Sequence, residues 1–388
     1  MCERKPGWKP VKFGQVVRLN KDRSKDPSGD GLDRYIGLEH IEPGDLRVRS
    51  WGDVADGTTF TNRFRPGHVL FGKRRAYQRK IAVADFDGVC SGDIYVFEPK
   101  DPTVLLPEVL PFICQTDSFF EHAVRTSAGS LSPRTNWKSI ADYEFALPPL
   151  NEQQRIVDGL LASERVVHRL KDAAVCATAT QNAFIKEVFS RSSDWPLVPL
   201  VEVGDLLLGK KKSGKDRAGV APRPYLRVGN IKDWRVDTTD VKTLDYVGAH
   251  FEKYRLERGD ILITEGDIVS PYNVGRSALY DGSVPGCCFD NHLFRFRTMP
   301  GIDPWFVLGL FRYLHMIGEF AKAAKVTTVI YLGLKRLSQM QVLLPSAELQ
   351  ASLGRDTKAI WDLDSRVLDR LQRAEGFHSR LVQGSVTQ

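Results

Sequence analysis

Two stretches of the chain place apolar side chains at eight of ten positions spaced three or four residues apart, and few folds accommodate that. The first follows ALPPLNEQQ (Ala146–Gln154). It reads Ile156, Leu160, Ser163, Val167, Leu170, Ala174, Ala177, Gln181, Phe184 and Val188, eight of ten apolar. The second follows LLPSAELQ (Leu343–Gln350). It reads Leu349, Leu353, Asp356, Ile360, Leu363, Val367, Arg370, Ala374, Phe377 and Leu381, again eight of ten. No proline interrupts 151–194, and Gly159 is the only glycine there. A 3.5-residue repeat held over four heptads is the pattern of a coiled-coil seam. Each run opens with proline and then polar residues, as a helix start should. The matched length and phase predict that the two helices pair with each other, antiparallel. The seam from Ile156 to Val188 spans roughly 50 Å at 1.5 Å per residue, more than one domain needs for its own core.

The segments before the helices repeat as well. RYIGLEHI (Arg34–Ile41) matches PYLRVGNI (Pro224–Ile231), and FRPGHVLF (Phe64–Phe71) matches LERGDILI (Leu256–Ile263). SGDIYVFEP (Ser91–Pro99) matches DNHLFRFRT (Asp290–Thr298), with offsets from 190 to 199 throughout. The chain therefore reads as a duplicated α+β protein. Two pseudo-repeated mixed domains, 1–150 and 193–345, are separated by two long antiparallel coiled-coil helices, 151–192 and 346–388. Each domain combines short β-rich runs bounded by Gly and Asp-Gly with a short helix, Leu105–Glu121 or Pro304–Ala324. RSSDWPLVP (190–199 region) breaks the first long helix.

With 388 residues, 42% apolar and 27% charged, the composition is that of a globular protein. No apolar run reaches membrane-span length, and the amino-terminal segment has no apolar signal region, so a cytoplasmic location is expected. The six cysteines, at 2, 90, 114, 176, 287 and 288, form no CxxC pair. No HExxH or HxH occurs, so no metal site is expected and buried free thiols are. The net charge of +7 and pI near 9.0 suit a polyanionic partner.

Enzyme motifs fail on inspection. LLLGKKKSGKD (Leu206–Asp216) approaches a phosphate-binding loop with Gly209, Gly214 and Lys215. Asp216, however, stands where a hydroxyl should reach Mg²⁺, and its carboxylate would repel phosphate. Glu98-Pro99-Lys100, with Asp85, Asp87 or Asp93 upstream, resembles a metal-dependent nuclease signature, but Pro99 disfavours the regular strand it needs. There is no GxGxxG and no NPPY-like turn. No catalytic constellation is predicted.

DNA-contact chemistry does recur. Arg pairs bidentately with guanine, Gln and Asn pair with adenine, and cations neutralise phosphates. KRRAYQRK offers Lys73, Arg74, Arg75, Tyr77, Gln78, Arg79 and Lys80. Arg75 and Gln78 are the candidates for base edges, and Lys73, Arg74, Arg79 and Lys80 for phosphates. The loop RTSAGSLSPRTNWKSI (Arg125–Ile140) adds Ser132, Arg134, Asn136, Trp137 and Lys138. In the second half the candidates are Lys211, Lys212 and Lys215, then Tyr272, Asn273 and Arg276 in TEGDIVSPYNVGR. KAAKVTTVIYLGLKRL (Lys322–Leu337) supplies Lys325, Thr327, Thr328, Tyr331 and Lys335. The second half is much less basic at the position of KRRAYQRK, so the two domains are expected to read different sequences.

At these residues the chain resembles the specificity subunits of Type I restriction-modification systems. PPLNEQQRIV (Pro148–Val157) is similar to the family phrase that closes a target-recognition domain and begins a conserved helix. Val69–Pro99 resembles the core of the family's first domain, and Gly259–Tyr280 that of many second domains. The second copy departs from the pattern, because LLPSAELQ lacks the EQ pair. The resemblance implies a non-catalytic DNA-binding subunit whose two target-recognition domains grip the halves of a bipartite site. It implies assembly with two methyltransferase subunits and with restriction motor-nuclease subunits. S-adenosylmethionine, ATP and Mg²⁺ would belong to those partners, with no cofactor in this chain. Related Type IIB-like or phage-defence systems use similar readers and fit the same sequence. A non-DNA coiled-coil scaffold and a nuclease acting through Glu98 and Lys100 are the remaining alternatives.

Overall fold

Pro148 and Pro149 end the strand Glu144–Leu147, since neither can donate to a ladder. The Pro149 carbonyl then accepts from the N–H groups of both Glu152 and Gln153 at 2.9 Å, opening the next helix. That helix runs Leu150–Ser190, 41 residues, and a second runs Ala347–Val386, 40 residues. The computed structural model describes residues 7–191, 194–213, 216, 219–232, 234–267, 270, 273–326 and 330–386. Two compact units divide the chain: Met1–Asp172 with Asp369–Gln388, and Ala173–Leu368. Each unit thus holds one β-rich region and a stretch of both long helices.

The core sheets of the two units repeat each other strand for strand. In the first, a four-stranded sheet has the order Val17–Leu19, Ile94–Pro99, Val69–Gly72, Ile81–Val83. In the second, the order is Gly204–Leu208, Leu293–Thr298, Ile261–Thr264, Ser277–Leu279. Registers match too: Val69 faces Phe97 as Ile261 faces Phe296. A second sheet pairs Tyr35 with Val89 in parallel, and its counterpart pairs Tyr225 with Cys288 in parallel. The sequence offsets are therefore register offsets.

The long helices complete both cores. Val157, Leu160 and Val382 are buried with Phe13, Phe71, Phe97 and Phe119 in the first unit. Ile185 and Phe189 are buried with Phe296, Phe306 and Phe311 in the second. The departure of LLPSAELQ from the EQ phrase costs little. Gln153 donates to the Pro148 carbonyl five residues back at 2.9 Å, and Gln350 reaches the Pro345 carbonyl in the same way at 2.8 Å.

The helices run antiparallel where they meet. Ser163 contacts His378 at 2.7 Å and Lys171 contacts Glu375 at 3.6 Å in the first unit. Thr178 contacts Asp364 in the second. Every seam position predicted on the first helix is buried or half-buried. On the second helix the predicted phase is one residue early. Leu349, Leu363 and Phe377 are exposed, at 39%, 57% and 55%, while Gln350, Thr357, Asp364 and Val382 lie inside at 3%, 5%, 5% and 3%. Gln350 and Asp364 on this inner line have dedicated polar partners, which an apolar count cannot see. Cys176 also corrects an expectation: it is exposed, whereas Cys90, Cys114, Cys287 and Cys288 are buried. Among the described residues no helix is long and apolar enough to cross a membrane.

Equivalent loops tie each β-rich region to its stretch of helix, with opposite charge. After a single helical turn at Leu38–His40, Asp45 accepts from Arg49 and contacts His168 on the first long helix at 3.2 Å. After the matching turn at Val228–Asn230, Arg235 donates to Asp364 and Ser365 on the second and lies over the Trp361 ring. Breaking such a pair leaves a desolvated charge, worth about 3 kcal/mol. Arg235→Asp is expected to lower the urea midpoint accordingly, and adding Asp364→Arg should restore most of it. An unchanged midpoint in the single variant would show that the pair contributes nothing.

Burial pushes the imidazoles of His68, His168 and His378, all in the first unit, below the usual 6.5. Glu98 opposes this at His68, and Asp45 does so at His168. The unfolded chain therefore takes up more protons once the pH drops below about 6.5, so stability present above that pH is lost as it falls. The melting temperature is expected to drop between pH 7.5 and 5.5, and less steeply in His168→Gln. A stability that rises over this interval would contradict these assignments.

Candidate nucleic-acid interface

The segment 73–80 leaves the sheet at Val69–Gly72 and folds into one tight turn, Ala76–Gln78. Arg75 and Arg79 flank that turn in left-handed backbone, φ 52° and 55°. Non-glycine residues there cost of order 1 kcal/mol each, so surrounding bonds must hold them. The Arg75 N–H donates to the Pro133 carbonyl at 2.7 Å, and its guanidinium reaches the Leu131 carbonyl and Ser132. At the loop's root, Lys73 N–H donates to the Asp93 carbonyl at 2.9 Å and Thr135 N–H to the Lys73 carbonyl at 3.1 Å. The two segments that the sequence marked separately for DNA contact therefore lie side by side.

Most cations of KRRAYQRK have partners within the fold. Lys73 sits over the Tyr95 ring at 4.6 Å. Arg79 pairs with Asp117 at 2.6 Å and covers the Phe120 ring. Lys80, a candidate phosphate contact, donates one of its three N–H groups to the Leu38 carbonyl at 2.6 Å. Asp93 takes Arg74 at 3.3 Å, and takes Arg134 through Nε at 2.7 Å and Nη2 at 3.3 Å. Bonds from Arg134 and then Arg74 hold the Asp93 carboxyl below its ordinary range. Tyr77 is 56% exposed at the turn's tip, with Gln78 half-buried beside it.

Two candidates of the neighbouring loop also serve the fold. The Trp137 ring packs against Phe13 and Phe97, so it is core. Asn136 caps the helix Trp137–Ala141, accepting from Ser139 N–H at 2.9 Å. Lys138 and Arg134 face solvent. The residue that sequence reasoning missed here is Asp93. It was noticed only as a metal-site carboxylate, although its place in the repeated SGD/DNH segment marked it as a loop neighbour.

The second unit rebuilds the same root. Glu265 N–H donates to the His292 carbonyl at 2.9 Å, and Leu332 N–H to the Glu265 carbonyl at 2.8 Å. Residues 73, 93 and 135 thus correspond to 265, 292 and 332. Tyr331 pairs with both Gly266 and Lys325, bringing the second pair of marked segments together. Arg276 donates from Nε to the Asn273 carbonyl at 3.2 Å, bracing its own turn. Lys212 pairs with buried Asp290 at 2.7 Å, while Lys211, Lys325 and Lys335 are exposed. Lys215, Tyr272, Thr327 and Thr328 lie outside the described residues. With Glu265 where the first unit has Lys73, the second surface is less basic, and burial raises the Glu265 carboxyl.

The enzyme-like groups do not converge. Glu98 pairs with Arg18 at 3.1 Å and His68 at 3.6 Å, while Lys100 donates to the Gly14 carbonyl. Among the described residues, no group of three or more His, Cys, Asp or Glu is arranged to hold a metal ion.

Residues 5–171 match the family model of the Type I restriction modification DNA specificity domain. The Type I restriction enzyme EcoDI specificity subunit of Escherichia coli is 29% identical over 159 residues, which take in 39% of this chain and 33% of that protein. The chain thus spans about a third of the length of that curated relative. Two solved structures share the fold over its whole length. One is the S subunit of the Type-I restriction-modification system from M. genitalium (TM-score 0.63, 14% identity, 100% of this chain and 98% of that one). The other is a chain from work on complex assembly and conformational transition of the type I R-M system (TM-score 0.57, 20% identity, 99% and 98%). Residues 5–171 are thus similar to the Type I restriction modification DNA specificity domain, and the duplicated fold of the chain is similar to that of both solved structures.

Proposed function

We propose that this chain is the DNA sequence-specificity subunit of a Type I restriction-modification complex and reads a bipartite site. The observation that carries this is the repeated loop root. Lys73–Asp93–Thr135 and Glu265–His292–Leu332 make the same backbone bonds, yet present different side chains. Duplicated scaffolds with diversified loops suit the reading of two unlike half-sites. Residues 1–150 and 193–345 act as target-recognition domains, and the paired helices set the spacing. Readers on one face of B-DNA fall a helical turn apart or a multiple of it, roughly 34–36 Å each.

In this reading the chain contributes recognition and no catalysis. It delivers two methyltransferase subunits, and motor-nuclease subunits for cleavage, to the site. S-adenosylmethionine, ATP and Mg²⁺ act in those partners, and the chain works in the cytoplasm.

Methylome sequencing tests this directly, in cells carrying the chain with its neighbouring methyltransferase gene and in cells lacking the chain. A split modified motif should vanish with the chain, and exchanging residues 1–150 should change one half only. In the same assay Arg75→Ala or Gln78→Ala should relax one position of that half, at a cost of about 1–3 kcal/mol. Unchanged methylation with the complex intact would refute the specificity role.

A further inference from the structure

Arg134 is held by one edge only. Its Nε and Nη2 fork onto the two Asp93 carboxylate oxygens, at 2.7 and 3.3 Å, and the side chain remains 49% exposed. A guanidinium has five N–H donors in one plane. A fork spent on the Nε edge leaves the Nη1–Nη2 edge with two parallel N–H groups facing outward. That edge matches guanine O6 and N7 in the major groove, the commonest specific Arg contact. Asp93 is itself fixed: its N–H donates to Ser91 Oγ at 3.2 Å, its carbonyl accepts from Lys73 N–H at 2.9 Å, and its carboxylate also takes Arg74. Arg134 is further located by the strand-like bridge to Arg74 and by paired backbone bonds with Ala128 at 2.9 and 3.0 Å. A carboxylate beside a mere phosphate contact would weaken it, so its placement favours orientation over charge.

We propose that Arg134 reads a guanine and that Asp93 is the positioning residue that aims it. The proposal rests on the DNA-specificity reading above and deepens it. At the equivalent positions of the second unit the described residues are His292 in place of Asp93 and Tyr331 in place of Arg134, which cannot form this fork. The guanine therefore falls in the half of the motif read by residues 1–150.

The test uses the full-length chain and a duplex library randomised over the site, with selection for bound sequences. A mixed-sequence duplex of about 30 bp serves as the non-specific probe, titrated in salt from about 50 to 200 mM. The wild-type chain should select a split motif with one fixed guanine in the first half. Asp93→Asn and Arg134→Lys should each lose that guanine alone, a fall in discrimination of roughly 5- to 150-fold, with the other positions retained. Asp93→Asn removes a negative charge, so its affinity for the mixed-sequence duplex should hold or rise, by roughly 2- to 5-fold. Arg134→Lys keeps the charge at an exposed position and separates loss of the fork from loss of folding.

Retention of the guanine in either variant overturns the proposal. So does a uniform loss at all positions in Arg134→Ala with a salt slope lower by about one, which would make Arg134 a phosphate contact. A wild-type chain that selects no motif would instead sink the specificity reading, and this assignment with it.

Discussion

Each β-rich region folds onto a stretch of paired helix, and the rest of its architecture depends on that packing. Val157 and Leu160 close a core that Phe13, Phe71, Phe97 and Phe119 begin, and Ile185 and Phe189 do the same with Phe296, Phe306 and Phe311. The four-stranded sheet of the first unit is apolar on both faces: Val69, Phe71 and Phe97 pack with the helix residues Val157 and Leu160, and Leu70, Ala82 and Val96 pack with Ile36 and Phe64 of the second sheet. The loops at 73–80 and 128–135 extend from this frame, with Ala76 anchored in the first core and, at the corresponding places, Val274 and Leu332 anchored in the second. Fixed frames with variable loops are how binding sites change without loss of fold.

The duplication kept backbone bonds and changed the chemistry attached to them. Lys73 corresponds to Glu265 and Asp45 to Arg235, with the sign of the charge reversed, and Asp93 corresponds to His292, an imidazole in place of a carboxylate. The loop-root bonds are nonetheless the same within a few tenths of an ångström. Backbone hydrogen bonds constrain geometry without regard to side-chain identity, whereas base reading depends on identity alone. In the basic first unit, internal acceptors such as Asp93, Asp117 and the Leu38 carbonyl hold the cations in place. Such ordering trades raw electrostatic attraction for orientation, the property that distinguishes a sequence reader from a general polyanion binder.

Much of this was legible in the sequence, for physical reasons. Apolar side chains at fixed spacing declare both long helices, and Tyr35/Tyr225 and Phe97/Phe296 declare the repeat, because registers cannot slip without turning a core face outward. The seam of the second helix was misread by one residue. Its inner line carries Gln350, Thr357 and Asp364, and the partners of Gln350 at Pro345 and of Asp364 at Arg235 and Thr178 are invisible to a hydrophobic count. The basic loop was found, but its internal pairing was not. Asp93 lies 19 residues from Arg74 and 41 from Arg134, so only the folded chain shows that one carboxylate serves both. Trp137 misled for the opposite reason: an aromatic among cations resembles a stacking platform until its ring is seen against Phe13 and Phe97.

The central claim is that the equivalent loops of the two units are the DNA-reading surfaces. Photo-crosslinking measures this most directly, with a photoreactive side chain placed at Tyr77 or at Lys335 in the full-length chain bound to its selected duplex. The account expects crosslinks from position 77 in one half of the split motif and from position 335 in the other, with none from Val175, an exposed helix position. Crosslinks from both loops within one half, or more from Val175 than from either loop, would contradict it.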